Sequence, residues 1–166
     1  MPLRSDWSGK SCPIARGLEV LGDPWSMMVL REVFFGNTRF GDIQARIGIA
    51  DSVLSKRLLW LSDTGLLEKA PYDDGGRTRN AYRLTTKGEG VLPVLNAVAQ
   101  WADKHLEPPH DEAHMRVIHT GCGEETTSAD TCTHCGASLD ASVTSWHSLT
   151  RSEAPIRLAT ALGQHR

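Results

Sequence analysis

The segment from Thr38 to Gly65 constrains the fold of this chain most, because two short amphipathic helices follow one another there. Thr38 can cap a helix over residues 39–47, and Gly48 can end it. Asp51 can cap the next helix, whose apolar residues recur at i, i+4 and i+7 and are Leu54, Leu58 and Leu61. Gly65 can close that helix in a left-handed conformation. The pair predicts a helix-turn-helix.

A hairpin signal follows directly. Residues 66–70 and 81–84 are short segments with partial alternation, and residues 73–78 between them have a strong turn composition. The predicted tip carries Arg77 and Arg79, which is typical of a wing that contacts a phosphate backbone. A solvated basic hairpin without a ligand is the alternative.

Two predicted helices precede this unit. Residues 12–22 have helical apolar spacing, with Pro13 acceptable in the first turn. Asp23 can cap the following helix, Trp25–Phe35, which is apolar almost all round. We therefore expect this second helix at the centre of the core.

One long helix is predicted from Thr85 to Leu106, with a kink at Pro93. Its apolar stripe is larger than a small domain needs, and symmetric dimers are the commonest oligomers. The stripe predicts contact with a helix of a second copy. The alternative is that it only covers this chain's own core.

The outer face of the fourth helix, opposite its leucines, carries the predicted base-contacting residues Ser52, Ser55 and Lys56. Lysine can donate to guanine O6 and N7 or to phosphate. Arg57 lies nearer the core edge, and Arg39 begins the preceding helix, so we expect both to contact phosphates.

The order of segments predicts a chain in four parts. Residues 1–10 form a flexible N-terminus, 11–107 the winged-helix domain, 108–147 a separate small module, and 148–166 a polar tail with weak helical character at 156–162. Prolines in residues 107–111 mark the break before the module. The predicted fold class is mainly α with a β-hairpin wing, followed by a zinc-ribbon-like module.

The pattern His119-x2-Cys122-x9-Cys132-x2-Cys135 is the predicted metal site. Glycines after Cys122 and Cys135 permit tight turns around thiolate sulfur. The four ligands suit tetrahedral zinc and leave no open position, so the expected zinc is structural. A Cys132–Cys135 disulfide and free thiols are the alternatives, and the spare histidines are His114, His134 and His147.

Bulk properties exclude several classes of protein. No apolar run is long enough to span a bilayer or to act as a signal peptide, which predicts a cytoplasmic protein without membrane contact. The net charge of -2 does not indicate general affinity for nucleic acids. No phosphate loop, serine nucleophile motif or paired carboxylates stand out, so we do not expect an enzyme. A thiol oxidoreductase using Cys132 and Cys135 is the enzymatic alternative.

A set of ordered motifs resembles the HxlR-type winged-helix regulators over about residues 10–106. The motifs are Cys12-Pro13-Ile14, Gly22-Asp23-Pro24-Trp25, Leu30-Arg31-Glu32, Arg39-Phe40-Gly41-Asp42-Ile43, Leu54-Ser55-Lys56-Arg57-Leu58, Gly65-Leu66-Leu67 and Tyr82-Arg83-Leu84-Thr85-Thr86-Lys87-Gly88. The resemblance implies a homodimer, held largely by the first and last helices of the domain, on an inverted-repeat operator in double-stranded DNA.

Cys12 is a candidate site for a response to oxidants. It begins the first helix, where the helix dipole favours a thiolate, and the resemblance includes relatives that use a cysteine at the matching position in this way. A small residue buried beside the dimer helix is the alternative.

The combined expectation is a DNA-binding transcriptional regulator, a repressor, that responds to an oxidant or a small ligand. The alternative is a winged-helix module for protein interaction with a zinc-stabilised docking surface.

Overall fold

The structure is a computed structural model that describes residues 6–7, 9–111 and 114–161. Its helices are α1 (Pro13–Leu21), α2 (Pro24–Phe34), α3 (Phe40–Ile47), α4 (Asp51–Asp63), α5 (Thr86–Glu89) and α6 (Leu92–His105). Its strands are β1 (Leu67–Asp74), β2 (Arg77–Leu84), β3 (Arg116–His119), β4 (Glu125–Thr126), β5 (Thr144–His147) and β6 (Ile156–Arg157). Most of the predicted N-terminal segment 1–10 lies outside the described residues. Within those residues, no helix combines the length and apolarity needed to cross a membrane.

Helix α2 lies at the centre of the core, as its composition predicts. Asp23 caps it, and its carboxylate accepts a hydrogen bond of 3.1 Å from the Ser26 backbone N–H. Pro24 occupies the first turn, where its missing N–H costs nothing. Its apolar side chains with no exposed surface are Val29, Leu30, Val33 and Phe34.

The helix-turn-helix formed by α3 and α4 is confirmed, and the leucine stripe of α4 is buried against α2 and α3. The two predicted caps are wrong by one residue. Helix α3 begins after Arg39, because the Thr38 carbonyl accepts a hydrogen bond of 2.7 Å from Tyr82 N–H and keeps the chain extended. Asp51 is the first residue inside α4 rather than its cap, and its carboxylate accepts from the side chain of Gln44 on α3.

The wing is longer than predicted. Strands β1 and β2 pair without interruption from Leu67 with Leu84 to Asp74 with Arg77. The turn consists only of Gly75 and Gly76, with φ of 61° and 87°, the left-handed pair that a two-residue hairpin requires. The predicted turn over residues 73–78 is too wide. Its outer residues favour turns by composition, but here they pair across the two strands.

The predicted single helix over residues 85–106 is two helices. Thr85 caps α5 and accepts a hydrogen bond of 3.0 Å from Gly88 N–H. Pro93 lies in the first turn of α6, where it begins the helix and does not kink it. Gly88 is required here, because a Cβ at this position would lie 2.1 Å from the Leu66 carbonyl oxygen.

Beyond α6, an antiparallel sheet forms in the order β4-β3-β5-β6. The weakly helical segment predicted at 156–162 is wrong, because Ile156 pairs with Trp146 as part of β6. The end of that predicted segment, Leu162, lies outside the described residues. The predicted module boundary after His147 falls between two strands of one sheet.

The C-terminal extension, residues 114–161, is not a separate unit. Trp146 on β5 has no exposed surface, and its ring centroid lies 5.6 Å from that of Phe34 and 5.1 Å from that of Phe35. The indole N–H of Trp146 donates to Asn96 Oδ1 on α6 at 2.8 Å. The extension therefore completes the core of the winged helix. The proline-rich break before it had suggested an independent module.

Candidate nucleic-acid interface and metal centre

The outer face of α4 presents polar side chains to solvent. Ser52, Ser55 and Lys56 are exposed, whereas the leucines at positions 54, 58 and 61 are buried on the opposite side. This division follows from the 3.6-residue period of the helix. The exposed side of the helix therefore presents two hydroxyls and one ammonium, which are donors that can read base edges in a major groove.

Two arginines flank this face in different environments. Arg57 Nη2 lies 3.2 Å from Asp23 Oδ2, and both side chains are mostly buried. Its Nε is buried without a hydrogen-bond partner among the described residues. Arg57 therefore joins α4 to the start of α2. Arg39 is exposed, with its guanidinium 4.5 Å from the centroid of the Tyr72 ring on β1.

The wing arginines also differ from each other. Arg77 is exposed beside the Gly-Gly turn, and the described residues include no ion pair for it. Arg79 Nε lies 2.7 Å from Asp74 Oδ2, although both side chains are about half exposed. An exposed pair of this kind contributes little to stability. Arg77 is the freer of the two cations.

The predicted metal ligands come together. The four ligand atoms of His119, Cys122, Cys132 and Cys135 all lie within 4.8 Å of one another. His119 Nδ1 is 3.3 Å from both Cys122 Sγ and Cys135 Sγ, and the Sγ atoms of Cys122 and Cys132 are 3.6 Å apart. A tetrahedral zinc with ordinary bond lengths places N and S ligands about 3.6 Å apart and two S ligands about 3.8 Å apart. The donor set therefore fits zinc.

Backbone geometry prepares the cluster for a metal. Gly123 and Gly136 have φ of 77° and 76°, which allows each tight turn to close. Hydrogen bonds from the backbone N–H groups of Cys135 and His134 lower the pKa of Cys132 to about 6. The pKa of Cys122 shifts in the opposite direction. A hydrogen bond from Glu124 N–H lowers it, but burial and the neighbouring thiols together raise it by more, so the net shift is upward. A thiolate at Cys132 is thus favoured before a metal binds.

The spare histidines lie outside the cluster. His114 Nδ1 is 3.2 Å from Asp103 Oδ1, His134 is exposed, and the Nε2 atom of His147 is buried without a partner among the described residues. All four cysteines are free thiols, so Cys132 and Cys135 form no disulfide here. Cys12 is exposed at the start of α1 and does not pack in this chain's core.

An apolar surface remains open on α1 and α6. Its most exposed members are Ile14 and Leu18 on α1, and Val94, Val98 and Trp101 on α6. The inner side of α6 is buried, so this surface does not cover the chain's own core. It belongs to the two helices predicted to pair with a second copy.

The most unusual polar residue of the core was not predicted from the sequence. Glu32 on α2 has no exposed surface and receives hydrogen bonds from Arg31, Arg151 and Asn37. Burial raises the pKa of Glu32, but the hydrogen bonds from Arg151 and Arg31 and the charge of Arg31 lower it more, so the net shift is downward. A carboxylate inside an otherwise apolar helix was the available signal.

The helix-turn-helix followed by a hairpin defines a winged-helix protein. A family model described as HxlR-like helix-turn-helix matches residues 20–110, or 91 of the 166 residues. The chain belongs to this family of transcriptional regulators.

Matches to individual proteins cover more of the chain than the family model does. An uncharacterised HTH-type transcriptional regulator of Mycobacterium tuberculosis is 36% identical over 128 residues, covering 77% of this chain and 80% of that protein. The crystal structure of the candidate transcription factor PA1607 is 36% identical with a TM-score of 0.67, and the match covers 81% of this chain and 93% of that one. These matches exceed the winged helix and so include part of the extension.

A more distant structure, the redox regulator HypR in its oxidised form, is 23% identical with a TM-score of 0.52. It covers 58% of this chain and 99% of that one, and at this identity it shows the shared fold alone.

Proposed function

We propose that this regulator binds an inverted-repeat operator in double-stranded DNA as a homodimer and represses the adjacent genes. The observation that supports this most is the outer face of α4, where Ser52, Ser55 and Lys56 are exposed while the opposite face is fixed in the core. A recognition helix needs this combination of rigid support and free donors. Lys56 is the proposed contact to guanine.

The wing and the start of α3 supply the phosphate contacts in this proposal. Arg77 and Arg39 are exposed, and each carries a permanent positive charge. Arg79 joins them when its exposed pair with Asp74 opens. Arg57 contributes least, because Asp23 already holds its guanidinium. Most of the binding free energy comes from phosphates and depends on salt.

The proposed dimer buries the exposed apolar face of α1 and α6. Trp101 is 57% exposed and Ile14 is 73% exposed in the single chain, and aromatic residues are enriched at the centres of such interfaces. Two copies related by a two-fold axis place two α4 helices on one side of the assembly. Two such helices match an inverted repeat.

We propose that His119, Cys122, Cys132 and Cys135 hold a structural zinc ion. When bound, the ion cross-links the end of β3 to the loop between β4 and β5 and adds folding free energy to a part of the chain with a small core. The four protein ligands leave no position for substrate.

Cys12 is the proposed site of oxidant response. Its thiol is exposed at the start of α1, the helix proposed to pair in the dimer, so oxidation there alters the dimer surface. The test is the affinity for operator DNA with and without oxidant. The response should disappear in Cys12→Ser, and its persistence in that variant would assign it elsewhere.

The proposed role of Lys56 is tested by fluorescence anisotropy on operator and scrambled DNA at several salt concentrations. Lys56→Ala should weaken binding to the operator by about 1–3 kcal/mol and should weaken binding to scrambled DNA much less. Arg77→Ala should weaken binding to both by a similar factor and reduce the salt slope by about one. Lys104→Ala, which removes an exposed lysine near the end of α6, is the matched control.

Equal losses for Lys56→Ala on the two DNAs would remove Lys56 from the base-contacting set. Salt-insensitive failure to bind any DNA would favour a protein-interaction module instead.

A further inference from the structure

A cavity of about 560 Å³ lies where the C-terminal extension meets the winged helix. Its walls come from the end of α2, from α3 and α6, and from the segments before β3 and after β5, so no single element forms it. Its volume is within the usual range for small-molecule sites. Its charged and titratable lining residues are Arg31, Arg46, Asp103, His110, His114 and Arg151.

Two of the arginines are held in place by the buried carboxylate of Glu32. Arg31 Nη2 and Arg151 Nη2 each lie 2.6 Å from Glu32 Oε1, and Arg151 Nη1 lies 3.0 Å from Oε2. Asn37 donates to Oε2 as well, at 2.7 Å, so the carboxylate has little remaining capacity. Glu32 thus orients two guanidinium groups but can neutralise only one.

The cavity therefore keeps a positive excess. Three guanidinium groups face two carboxylates, those of Glu32 and Asp103, which leaves one positive charge while both histidines are neutral. Arg46 is exposed at the cavity, and the described residues include no ion pair for it. Arg31 and Arg151 have side-chain exposures of only 29% and 15%, so water screens them weakly.

Donors also remain available toward the cavity. The bonds to Glu32 use Nε and Nη2 of Arg31 and both Nη atoms of Arg151. Among the described residues, Nη1 of Arg31 and Nε of Arg151 have no such bond. The hydroxyls of Ser148 and Thr150 lie 2.9 Å apart in the same wall. Together with Arg46, these groups can surround a carboxylate or a phosphate.

Part of the wall is apolar. Phe35, Ala99, Ala102 and Met115 line it, and the Arg151 guanidinium lies 3.9 Å from the centroid of the Phe35 ring. A stacked guanidinium beside an apolar wall suits a ligand with a charged end and a carbon body.

We propose that this cavity binds a small organic anion, whose carboxylate or phosphate group contacts Arg46, Arg31 and Arg151 and whose apolar part lies against Phe35. Arg46 belongs to α3, the first helix of the helix-turn-helix, and Ala99 and Ala102 belong to α6. An anion bound here contacts the first helix of the helix-turn-helix and the proposed dimer helix. It changes operator affinity to the extent that its contacts differ between the free and DNA-bound states.

Ligand binding is tested by isothermal titration calorimetry on the DNA-free protein with its metal. The probes are benzoate, its uncharged analogue benzamide, and inorganic phosphate. Benzoate should bind with a Kd in the millimolar range or tighter. Benzamide should bind at least tenfold more weakly than benzoate. Arg46→Gln should weaken benzoate binding by about tenfold, since one charge-assisted contact is lost. Arg157→Gln, which removes an exposed arginine of β6 outside the cavity, should leave binding unchanged.

The phosphate titration distinguishes the two anion chemistries. Binding of either anion that is weakened in Arg46→Gln supports the site, and the tighter of the two identifies its chemical class. Equal binding of benzoate and benzamide, or anion binding unchanged in Arg46→Gln, would overturn the proposal, as would no binding of either anion. Circular dichroism checks that both variants are folded.

The coupling to DNA rests on the proposed function, whereas ligand binding does not. Because calorimetry is done without DNA, failure to find an operator leaves the anion result interpretable. With an operator in hand, benzoate should shift its anisotropy curve in the wild type, and Arg46→Gln should need about tenfold more benzoate for the same shift. Ligand binding without any shift would retain the site and overturn its regulatory role.

Discussion

The winged helix and the C-terminal extension achieve order in different ways. In the winged helix, long apolar stripes from α2 and α4 pack with wing residues such as Leu67 and Leu84. Backbone pairing between β1 and β2 orders the remainder of the wing. The strands of the extension are only two to four residues long, and its largest buried side chain, Trp146, lies against α2. The extension therefore depends on its neighbour, since its own core is too small to fold alone. The zinc ion proposed above adds a second support.

The largest expected effect is loss of the metal site. Cys132→Ser should abolish stoichiometric zinc binding and disorder the extension, because zinc contributes about 10–16 kcal/mol to folding in small zinc domains. Metal analysis measures the first effect, and the near-ultraviolet circular dichroism of the protein, to which the buried Trp146 contributes, measures the second. The helical far-ultraviolet signal of the winged helix should largely persist.

Cys12→Ser is the matched control and should retain one zinc per chain. An ordered extension in metal-free Cys132→Ser would show that the cluster is not structural.

Truncation of Trp146 comes next. Trp146→Ala removes the buried ring that contacts Phe34 and Phe35, and it leaves Asn96 Oδ1 without its hydrogen-bond donor. The free energy of unfolding should fall by about 3–5 kcal/mol in urea denaturation. A loss below about 1 kcal/mol would mean that the winged helix is indifferent to the extension, contrary to a shared core.

The ion pair between Arg151 and Glu32 should make the junction dependent on pH. Because the folded pKa of Glu32 lies below its ordinary value of 4.5, the ionised carboxylate stabilises the fold above that pH. This contribution disappears as the pH falls from 4.5 through the folded pKa. Arg151→Gln should lower the free energy of unfolding by about 1.5–3 kcal/mol at pH 7.

The difference between wild type and Arg151→Gln should shrink as Glu32 is protonated in acid. The free energy of unfolding of both proteins is measured by urea denaturation from pH 7 to acid. The titration of all other carboxylates cancels in the difference between the two proteins. A constant difference at every pH would contradict the role of Glu32.

The smallest expected effect lies within the winged helix. Gly88→Ala places a methyl group against the Leu66 carbonyl and should cost about 1–3 kcal/mol, because α5 must move away from β1. Gly41→Ala on α3, where a Cβ meets nothing within 4 Å, is the matched control and should be neutral or stabilising. Equal melting temperatures for the two variants would contradict the close approach of α5.

The winged helix was predictable because its signals are local. The leucine spacing of α4, the cap at Asp23 and the hairpin glycines each act over a few residues, and the structure follows them. The cluster of His119, Cys122, Cys132 and Cys135 was predictable for the same reason, since each of two close residue pairs specifies one half of it.

The errors lie where distant residues interact. The Tyr82 hydrogen bond to Thr38 moves the start of α3, and the Leu66 carbonyl requires Gly88. The contacts of Trp146 with Phe34 and of Arg151 with Glu32 join residues more than 100 positions apart, and no local pattern records such pairs. The cavity at the junction depends on these contacts, so the sequence could not predict it.

The most direct test of the account is selection of genomic DNA fragments with the purified, metal-loaded protein. The account predicts enrichment of a two-fold-symmetric sequence with half-sites about one helical turn, 10–10.5 base pairs, apart, and binding that weakens steeply with salt. Enrichment of no sequence, or of an asymmetric site bound by a single chain, would contradict a homodimeric operator-binding regulator.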